Sequence, residues 1–296
     1  MRWENFVGTF VGRERVGTHL LRLRFEIGDG TAAGYLPIEP GDESIAFYHS
    51  PDGTPLQART SDDPEATDGW EITDEDRGIG HRNFTVRSYD PDTREMVVDI
   101  AEHGHGPAIE WFRAAEPGWR LLMAGPRSWY APTTTVRHVL AGDLAALPAL
   151  ARIVEGTDPA TRITAIVEIL DRRDLSYLPE HPNLEIVEVI GSGNGVTPTR
   201  LSEALTHVEL DDDTYCWFAG EAADIRAAKK HLRSLGWTRD RYTIVGYWRQ
   251  NADQWTKDFE AKRPELVQVY QDALAAGNSA QEAADLYEAA LEKAGL

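Results

Sequence analysis

Residues 82–87 combine side-chain types that together could hold a charged, planar cofactor. In a strand their side chains alternate between two faces, with Arg82, Phe84 and Val86 on one face and Asn83, Thr85 and Arg87 on the other. A guanidinium can bind a pyrophosphate, an aromatic ring can cover a flavin, and a hydroxyl can hydrogen-bond near the flavin's reactive edge. The segment therefore favours a flavin-binding strand, although an ordinary exposed strand with cationic residues would have the same composition.

A second pattern suited to anion binding lies at residues 103–111. The loop 103–106 contains two glycines and is followed by Pro107, a residue typical of the first turn of a helix. We expect that helix to end near Ala115, and free backbone N–H groups at its start would bind phosphate. A plain strand-to-helix connection would show the same pattern. The two histidines of the loop have no carboxylate or third histidine arranged around them, so we expect no metal site.

The composition limits the classes of protein to which the chain can belong. Its 296 residues are enough for two domains, and its net charge of -19 argues against binding to nucleic acid or to anionic membranes. Cys216 is the only cysteine, which excludes disulfides, iron–sulfur clusters and thiolate zinc sites within one chain. Residues 1–18 do not resemble a signal peptide, and no apolar run reaches the roughly 20 residues of a membrane helix. We therefore expect a cytoplasmic protein.

The first half of the chain is predicted to be a β-barrel. Apolar residues alternate with polar ones at 21–27 and again at 96–100, as in half-buried antiparallel strands. Shorter strands are expected at 6–11, 45–49 and 120–124. Short strands at this spacing favour a closed barrel. The acidic segment 61–76 is expected to be a solvated loop.

After Thr133 the pattern changes to strands that alternate with helices. This alternation implies right-handed βαβ units and a parallel sheet, with strands at 136–141, 163–170, 184–190, 215–219 and 242–248. Ligands of such sheets bind beyond the carboxyl ends of the strands, which here carry Asp143, Gly220, Glu221 and residues 247–249. The sequence has no G-x-G-x-x-G motif, so the usual dinucleotide fingerprint is absent.

Residues 251–296 are predicted to form a helical extension. Pro264 is expected to divide the first helix or to start a new one. Ser279 and Glu282 have the spacing of a capping box at the start of the last helix. That helix carries an apolar stripe, which would pack on this protein or on a second copy, formed by Ala283, Leu286, Tyr287, Ala290, Leu291 and Ala294. The sequence leaves the oligomeric state open.

Taken in order, six motifs resemble those of the siderophore-interacting proteins, which are FAD-containing ferric-siderophore reductases related to the ferredoxin-reductase superfamily. They are R-x-[YF]-T-x-R at 82–87, H-G-x-G-P-A followed by a tryptophan at 103–111, G-P-R at 125–127, A-G-D-x-x-A-L-P-A at 141–149, W-x-A-G-E at 217–221 and G-Y-W-R at 246–249. The resemblance covers about residues 6–250. The chain departs from the pattern at Phe84, where tyrosine is usual, and at Asn251, where glycine often follows.

The resemblance implies a fold and a cofactor. A β-barrel FAD-binding domain (1–131) would be followed by an NAD(P)H-binding-like α/β domain with a parallel sheet (132–250), as in ferredoxin reductases, and by the helical extension (251–296). Arg82 would hold the FAD pyrophosphate, Phe84 would lie against the isoalloxazine, and Thr85 would lie near its reactive edge. The full set implied to bind the cofactor is Arg82, Asn83, Phe84, Thr85, Asp99, His103, Gly104, Gly106, Pro107, Ala108 and Trp111.

The implied function is that of an FAD-dependent ferric-siderophore reductase, which releases iron as Fe(II) from imported siderophores. One-electron reduction loosens a complex in which hard oxygen donors hold Fe(III), so the protein itself needs no iron ligands. It needs cationic groups that accept a bulky, anionic chelate. The residues expected to contact it are Arg249, Arg127 and Trp248, with Arg59 as a further candidate. A general NAD(P)H:flavin reductase and a non-catalytic siderophore-binding protein are the alternatives.

The electron donor is left open between NADH, NADPH and reduced ferredoxin. Glu168 and Asp171 favour NADH, because an acidic residue at this strand end can bind the ribose 2′-hydroxyl. Arg172 and Arg173 favour the 2′-phosphate of NADPH instead. Ferredoxins are usually acidic, which opposes docking to a protein of charge -19. The residues expected to bind a nicotinamide cofactor are Asp143, Glu168, Gly220 and Glu221.

Overall fold

The computed structural model describes residues 4–28, 35–38, 41–49, 58–60, 70–72, 80–102 and 107–296. The strands of its first half are β1 (Glu4–Val16), β2 (Leu20–Ile27), β3 (Ser44–His49), β4 (Ala58–Thr60), β5 (Trp70–Ile72), β6 (Gly80–Asp90), β7 (Glu95–Ala101) and β8 (Arg120–Arg127). Six of these described strands close an antiparallel barrel in the order β1-β2-β7-β6-β3-β8, while β4 pairs with β5 alone. The predicted closed barrel is therefore confirmed.

Strand β2 shows how the sequence forms the barrel wall. Leu23, Phe25 and Ile27 are buried in the barrel core, whereas the intervening Glu26 is exposed. This two-residue period is the one expected of a strand with one buried face. Helix α1 (Pro107–Ala114) begins at the predicted proline and packs apolar side chains into the same core.

The second half of the chain contains a five-stranded sheet in the order β11-β10-β9-β12-β13. Its strands are β9 (Arg137–Asp143), β10 (Arg162–Ile169), β11 (Leu184–Ile190), β12 (Thr214–Glu221) and β13 (Tyr242–Trp248). Strand β9 pairs in parallel with both β10 and β12, and β10 pairs in parallel with β11. The predicted parallel sheet is thus confirmed. The chain order reverses between β9 and β12, which is where ligands bind in open α/β sheets.

Helices cover both faces of this sheet. Helix α2 (Leu147–Gly156) packs Leu150 and Ile153 on one face. Helices α3 (Leu201–Leu205) and α4 (Asp224–Ser234) cover the other, where Leu205 and Leu232 are fully buried. The sequence did not predict α3. Two 3-10 helices, Arg172–Tyr177 and Arg239–Arg241, complete the connections among the described residues.

Polar contacts, one buried and one exposed, join the barrel to the sheet domain. Asp174 of the 3-10 helix Arg172–Tyr177 is fully buried and accepts hydrogen bonds from the backbone N–H of Thr18 (2.5 Å) and from His19 Nδ1 (2.7 Å) in the β1–β2 turn. On the other side, Arg87 of β6 forms a two-point ion pair with Glu155 of α2, at 2.5 and 2.7 Å. These contacts fix β6 relative to the sheet domain.

Residues from Trp248 to Leu296 form a second compact unit. Helices α5 (Ala252–Ala275) and α6 (Ala280–Lys293) pack against each other, and the predicted capping box of Ser279 and Glu282 is present. The expectation for Pro264 was wrong, because the proline lies inside the single helix α5. Burial of Leu266 and a hydrogen bond from Lys262 Nζ to the Ala294 carbonyl oxygen (2.5 Å) hold the helix on both sides of it. No helix in the described part of the chain is long and apolar enough to span a membrane.

Candidate functional site

The site is built on a row of side chains that crosses three neighbouring strands of the barrel. Ser44 of β3 is the direct partner of Thr85 on β6 and of Arg127 on β8. Residues directly opposite one another in antiparallel strands project from the same face of the sheet. Val86, the next residue on β6, is fully buried in the barrel core, so Thr85 points to the opposite side, away from the core. The predicted motif thus places Thr85 on the outer face of the barrel.

The hydroxyl groups in this row are buried and have no hydrogen-bond partner within the protein. Ser44 and Thr85 are each 4% exposed, and neither Ser44 Oγ nor Thr85 Oγ1 forms a hydrogen bond. A third such group is the hydroxyl of Tyr247 on β13, which lies beside the Thr85 side chain. Buried polar groups without a partner are uncommon, because each costs about 1–3 kcal/mol. Three of them together fit a ligand with several polar atoms, such as the edge of a flavin ring.

Phe84 lies on the same face of β6 as Val86 and packs against the barrel core. Its ring is tilted against Phe47 (centroids 5.2 Å apart) and meets Phe112 of α1 edge to face (5.5 Å). It is partly exposed, so part of the ring remains available to a ligand. The contact with Phe112 also holds α1 against β6. The helix that follows the predicted phosphate-binding loop therefore lies beside the strand that carries Arg82.

The residues predicted to hold the pyrophosphate are only partly described. Arg82 is exposed, and its Nη1 donates to the carbonyl oxygen of His81 (3.0 Å). Asn83 is exposed and accepts a hydrogen bond from Arg127 Nη2. The backbone of Pro107 and Ala108 opens α1. His103, Gly104 and Gly106 lie outside the described residues, so their predicted contacts stay predictions.

Two residues of the predicted cofactor set, Asp99 and Trp111, are enclosed by the protein itself, and their contact with FAD stays a prediction. The Asp99 carboxylate is 3% exposed and accepts two hydrogen bonds from Arg22 (2.8 and 2.7 Å) and one from the Tyr177 hydroxyl (2.5 Å). Trp111 is 5% exposed and packs against Phe112 in the barrel core. Asp99 joins the barrel to the sheet domain, and Trp111 packs in the barrel core with its Nε1 buried and without a hydrogen-bond partner.

Three residues predicted to bind a nicotinamide cofactor meet at the carboxyl edge of β9 and β12. Asp143 Oδ1 accepts hydrogen bonds from the N–H groups of Ala145 (3.0 Å) and Ala146 (3.1 Å) ahead of α2. A Cβ atom at Gly220 would lie 3.0 Å from Asp143 Oδ2, so a side chain at this position would crowd the Asp143 carboxylate. Glu221 accepts from the N–H of Asp224 (3.2 Å) at the start of α4. The three are brought together as expected, and their contact with a nicotinamide stays a prediction.

The fourth residue of that set, Glu168, is placed differently. It is fully buried, and its carboxylate accepts hydrogen bonds from Ser192 Oγ (2.8 Å), Thr199 Oγ1 (2.6 Å) and the N–H of Arg200 (2.6 Å). It therefore holds the loop after β11, and its contact with a nicotinamide cofactor stays a prediction.

The neighbouring charges that were expected to choose between NADH and NADPH pair with their own chain. Asp171 starts the 3-10 helix Arg172–Tyr177, and its ion pair with Arg173 (2.5 Å) lowers the Asp171 pKa to about 2. Arg172 pairs with Glu188 (2.7 Å). These contacts favour neither donor.

The residues expected to bind the chelate lie on three segments. Within the C-terminal unit, the Arg249 guanidinium lies 4.2 Å from the ring centre of Trp255, whose ring also stacks on Phe259 (4.9 Å, 10° between planes). Arg127 lies over the Trp129 ring at 5.0 Å. Trp248 ends β13 and is half-buried. Arg59 falls on β4, at a position whose side chain lies outside the described residues.

Sequence reasoning missed Ser44 and named Tyr247 only as part of the strand end 247–249. Tyr247 belongs to the G-Y-W-R motif, so its place at a strand end was visible in the sequence. Ser44 carries no local signal, since its relation to Thr85 depends on strand pairing. Among the described residues, no group of three or more His, Cys, Asp or Glu side chains could hold a metal ion.

Comparison with known proteins accounts for both halves of the chain. Residues 9–130 match the family model of the siderophore-interacting FAD-binding domain, and residues 135–251 match that of the siderophore-interacting protein. The ferric acinetobactin reductase of Acinetobacter baumannii is 26% identical over 209 residues, covering 69% of this chain and 71% of that protein. The NADPH-dependent ferric-chelate reductase of Escherichia coli is 24% identical, and the match covers 84% of this chain and 93% of that protein.

A solved structure of a siderophore utilization protein from T. fusca shares the fold. It has a TM-score of 0.69 and 25% identity, and the match covers 84% of this chain and 94% of that one. The barrel with its outer row of hydroxyls lies in the part matched by the FAD-binding model, and the parallel sheet lies in the part matched by the second model. The chain therefore belongs to the siderophore-interacting protein family.

Proposed function

We propose that this protein is an FAD-dependent ferric-siderophore reductase that releases iron as Fe(II). The observation that carries the proposal is the row of buried hydroxyls on the outer face of the barrel, where Thr85 Oγ1 and Ser44 Oγ lack partners. Their positions fit a cofactor with polar ring atoms, and they lie within the FAD-binding family match. The names of the Acinetobacter and Escherichia relatives support ferric chelates as the substrate class.

The residues present suit the separate parts of FAD. The exposed Arg82 and the backbone N–H groups at the start of α1 bind the pyrophosphate, because both favour anions. Phe84 flanks the ring system, and Thr85 hydrogen-bonds to its polar edge. When bound, FAD supplies a carrier that takes up two electrons together and releases them singly.

The substrate is a ferric siderophore, which is large and often anionic. Fe(II) binds hard oxygen donors more weakly than Fe(III), so reduction alone loosens the complex, and the protein need not supply iron ligands. Arg127, Arg249 and Trp248 contact the chelate in this proposal. The electrons balance when one molecule of NAD(P)H and two ferric ions yield NAD(P)+, one proton and two ferrous ions.

The donor is NADH or NADPH, bound at the carboxyl edge of β9 and β12 beside Asp143, Gly220 and Glu221. The Escherichia relative is named as NADPH-dependent, which favours NADPH. Reduced ferredoxin is the second donor to test. In this proposal the reaction takes place in the cytoplasm, where reduced nicotinamides are available. The charge of -19 opposes nucleic acid and anionic membranes as partners.

An anaerobic stopped-flow experiment tests the proposal. The FAD-loaded protein is mixed separately with NADH, NADPH and reduced ferredoxin, and bleaching of the flavin absorbance identifies the donor. The prereduced protein is then mixed with ferric siderophores, and an Fe(II) chelator records the iron released. We expect reoxidation of the flavin with release of Fe(II). A protein that takes up no FAD, or whose prereduced flavin no ferric siderophore reoxidises, would contradict the proposal.

A further inference from the structure

We propose that Ser44 and Tyr247 are two further FAD-contacting residues, which together with Thr85 form a three-hydroxyl site for the polar edge of the flavin ring. The inference rests on the proposed function, because it takes FAD as the ligand. It adds one residue from a neighbouring barrel strand and one from the sheet domain to the motif at 82–87.

Ser44 pairs directly with Thr85 across two neighbouring strands. Direct cross-strand partners have Cβ atoms about 4.5–5.5 Å apart on one face of the sheet. Both side chains are 4% exposed and neither hydroxyl has a partner in the protein. A hydroxyl both donates and accepts, so the pair can serve ring atoms of either kind. A ligand that reaches Thr85 therefore also reaches Ser44.

Tyr247 brings a third hydroxyl to this pair. Its hydroxyl is buried without a partner, and it lies beside the Thr85 side chain and near the carboxylates of Asp42 and Asp143. Its ring and that of Trp217 pack edge to face, with centroids 6.2 Å apart and planes at 88°. The phenol thus reaches from the last strand of the sheet toward the outer face of the barrel.

Neighbouring residues hold the Tyr247 ring in place. Trp217 is fully buried, and its Nε1 donates to Asp42 Oδ2 at 3.2 Å. The other oxygen of Asp42 accepts from the N–H groups of Trp129 and Tyr130, each at 2.9 Å. Asp42 therefore anchors Trp217, and Trp217 limits the rotation of Tyr247. A hydroxyl held in place before the ligand arrives costs less to order on binding.

Burial also keeps Tyr247 in the form that donates. It raises the pKa of the Tyr247 phenol, and the nearby negative charge of Asp42 acts in the same direction. The phenol is therefore protonated at neutral pH. A neutral donor can hydrogen-bond to the ring nitrogens and carbonyl oxygens of a flavin.

The strand itself offers a matched control. Tyr242 also lies on β13, and its buried hydroxyl also lacks a partner, but its ring packs into the core cluster on the other side of the sheet. An unpartnered hydroxyl alone therefore does not define the site. What distinguishes Tyr247 is that its hydroxyl lies beside Thr85.

The test uses Tyr247→Phe, Ser44→Ala and Thr85→Ala, with Tyr242→Phe as the control, all as FAD-free proteins that are then titrated with FAD. Loss of one hydrogen bond of ordinary strength should raise the Kd for FAD about fivefold in each of the first three variants. The midpoint potential of the bound flavin should also shift in each of the three. The control should keep the Kd and the potential of the unaltered protein.

Thermal unfolding of the FAD-free proteins separates ligand contact from a structural role. Because the hydroxyls have no partner in the protein, removing one should leave the melting temperature equal or higher. Suppose that Thr85→Ala binds FAD more weakly, whereas Tyr247→Phe and Ser44→Ala keep the FAD affinity and midpoint potential of the unaltered protein. This result would overturn the inference and leave the proposed function standing. Failure of the unaltered protein to bind FAD would overturn both.

Discussion

Arg152 of α2 forms an ion pair with the fully buried carboxylate of Glu43, and its Nη1 donates to the carbonyl oxygen of Val86 at 2.7 Å. Val86 is the residue after Thr85 on β6. A single guanidinium therefore holds the sheet domain against the strand that carries the candidate flavin site. Glu43 also accepts hydrogen bonds from the Tyr35 hydroxyl and, at 3.3 Å, from the N–H of Ile38.

Removal of this guanidinium should destabilise the protein strongly. Arg152→Met leaves a buried carboxylate without its cation, which typically costs about 3–5 kcal/mol. Urea unfolding at neutral pH measures the loss in the free energy of unfolding. Arg173→Met is the control, because the Arg173 side chain is 76% exposed and its pair with Asp171 should contribute at most about 1 kcal/mol. Equal losses in the two variants would contradict the role assigned to Arg152.

The same pair predicts a direction for the pH dependence of stability. Burial raises the pKa of Glu43 above its ordinary value, and Arg152 opposes that rise. Between the unfolded and the folded pKa the native state binds more protons, so the free energy of unfolding falls as pH rises through that window. Arg152→Met should extend the window to higher pH, and the added substitution Glu43→Gln should abolish the extra slope. Urea unfolding over a pH series would refute this if the unaltered protein and Arg152→Met had parallel profiles.

The elements that depend on local periodicity could be predicted from the sequence. The alternation of apolar and polar residues in β2 reflects a strand with one buried face. Short strands in the first half predicted the barrel, and strands alternating with helices in the second half predicted the parallel sheet. The position of Thr85 on the outer face follows from the same two-residue period. Pro264 was misjudged because contacts between α5 and α6 outweigh the local cost of a proline within a helix.

The parts of the site that depend on topology could not be predicted in this way. Tyr247 and Thr85 are far apart in sequence, and only the tertiary fold brings their side chains together. Glu168 stands at a strand end like a ribose-binding residue, but donors from a later loop enclose it. A motif thus fixes a residue's place on a strand, whereas its partners depend on segments distant in sequence.

Loss of the Arg82 guanidinium should weaken the binding of FAD. Arg82→Ala removes a cation from the exposed end of β6, and we expect the Kd for FAD to rise about tenfold, since a hydrogen bond to a charged group is worth about 1.5–3 kcal/mol. Titration of the FAD-free protein by flavin fluorescence measures it. Arg120→Ala is the control, because Arg120 is also exposed but begins β8, at the opposite end of that strand from Arg127. Unchanged flavin binding in Arg82→Ala would remove this residue from the site.

Arg249 should act on the chelate and not on FAD. Arg249→Ala should raise the KM for an anionic ferric siderophore about tenfold while flavin occupancy stays complete, because a charge-assisted contact is worth about 1.5–3 kcal/mol. The guanidinium lies 4.2 Å from the ring centre of Trp255, so this ring should help to orient it. Trp255→Leu should then raise the same KM by a smaller factor, and Trp255→Phe should restore most of it.

The comparison that decides the role of Arg249 is between chelates of different charge. Steady-state assays with an anionic and an uncharged ferric chelate should show the rise in KM for the anionic one alone, since the lost interaction is with negative charge. The double variant Arg249→Ala with Trp255→Leu should match Arg249→Ala, because Trp255 acts through the guanidinium. An equal rise in KM for both chelates would mean that Arg249 does not act through the negative charge of the chelate. Additive effects of the two substitutions would mean that Trp255 does not act through Arg249.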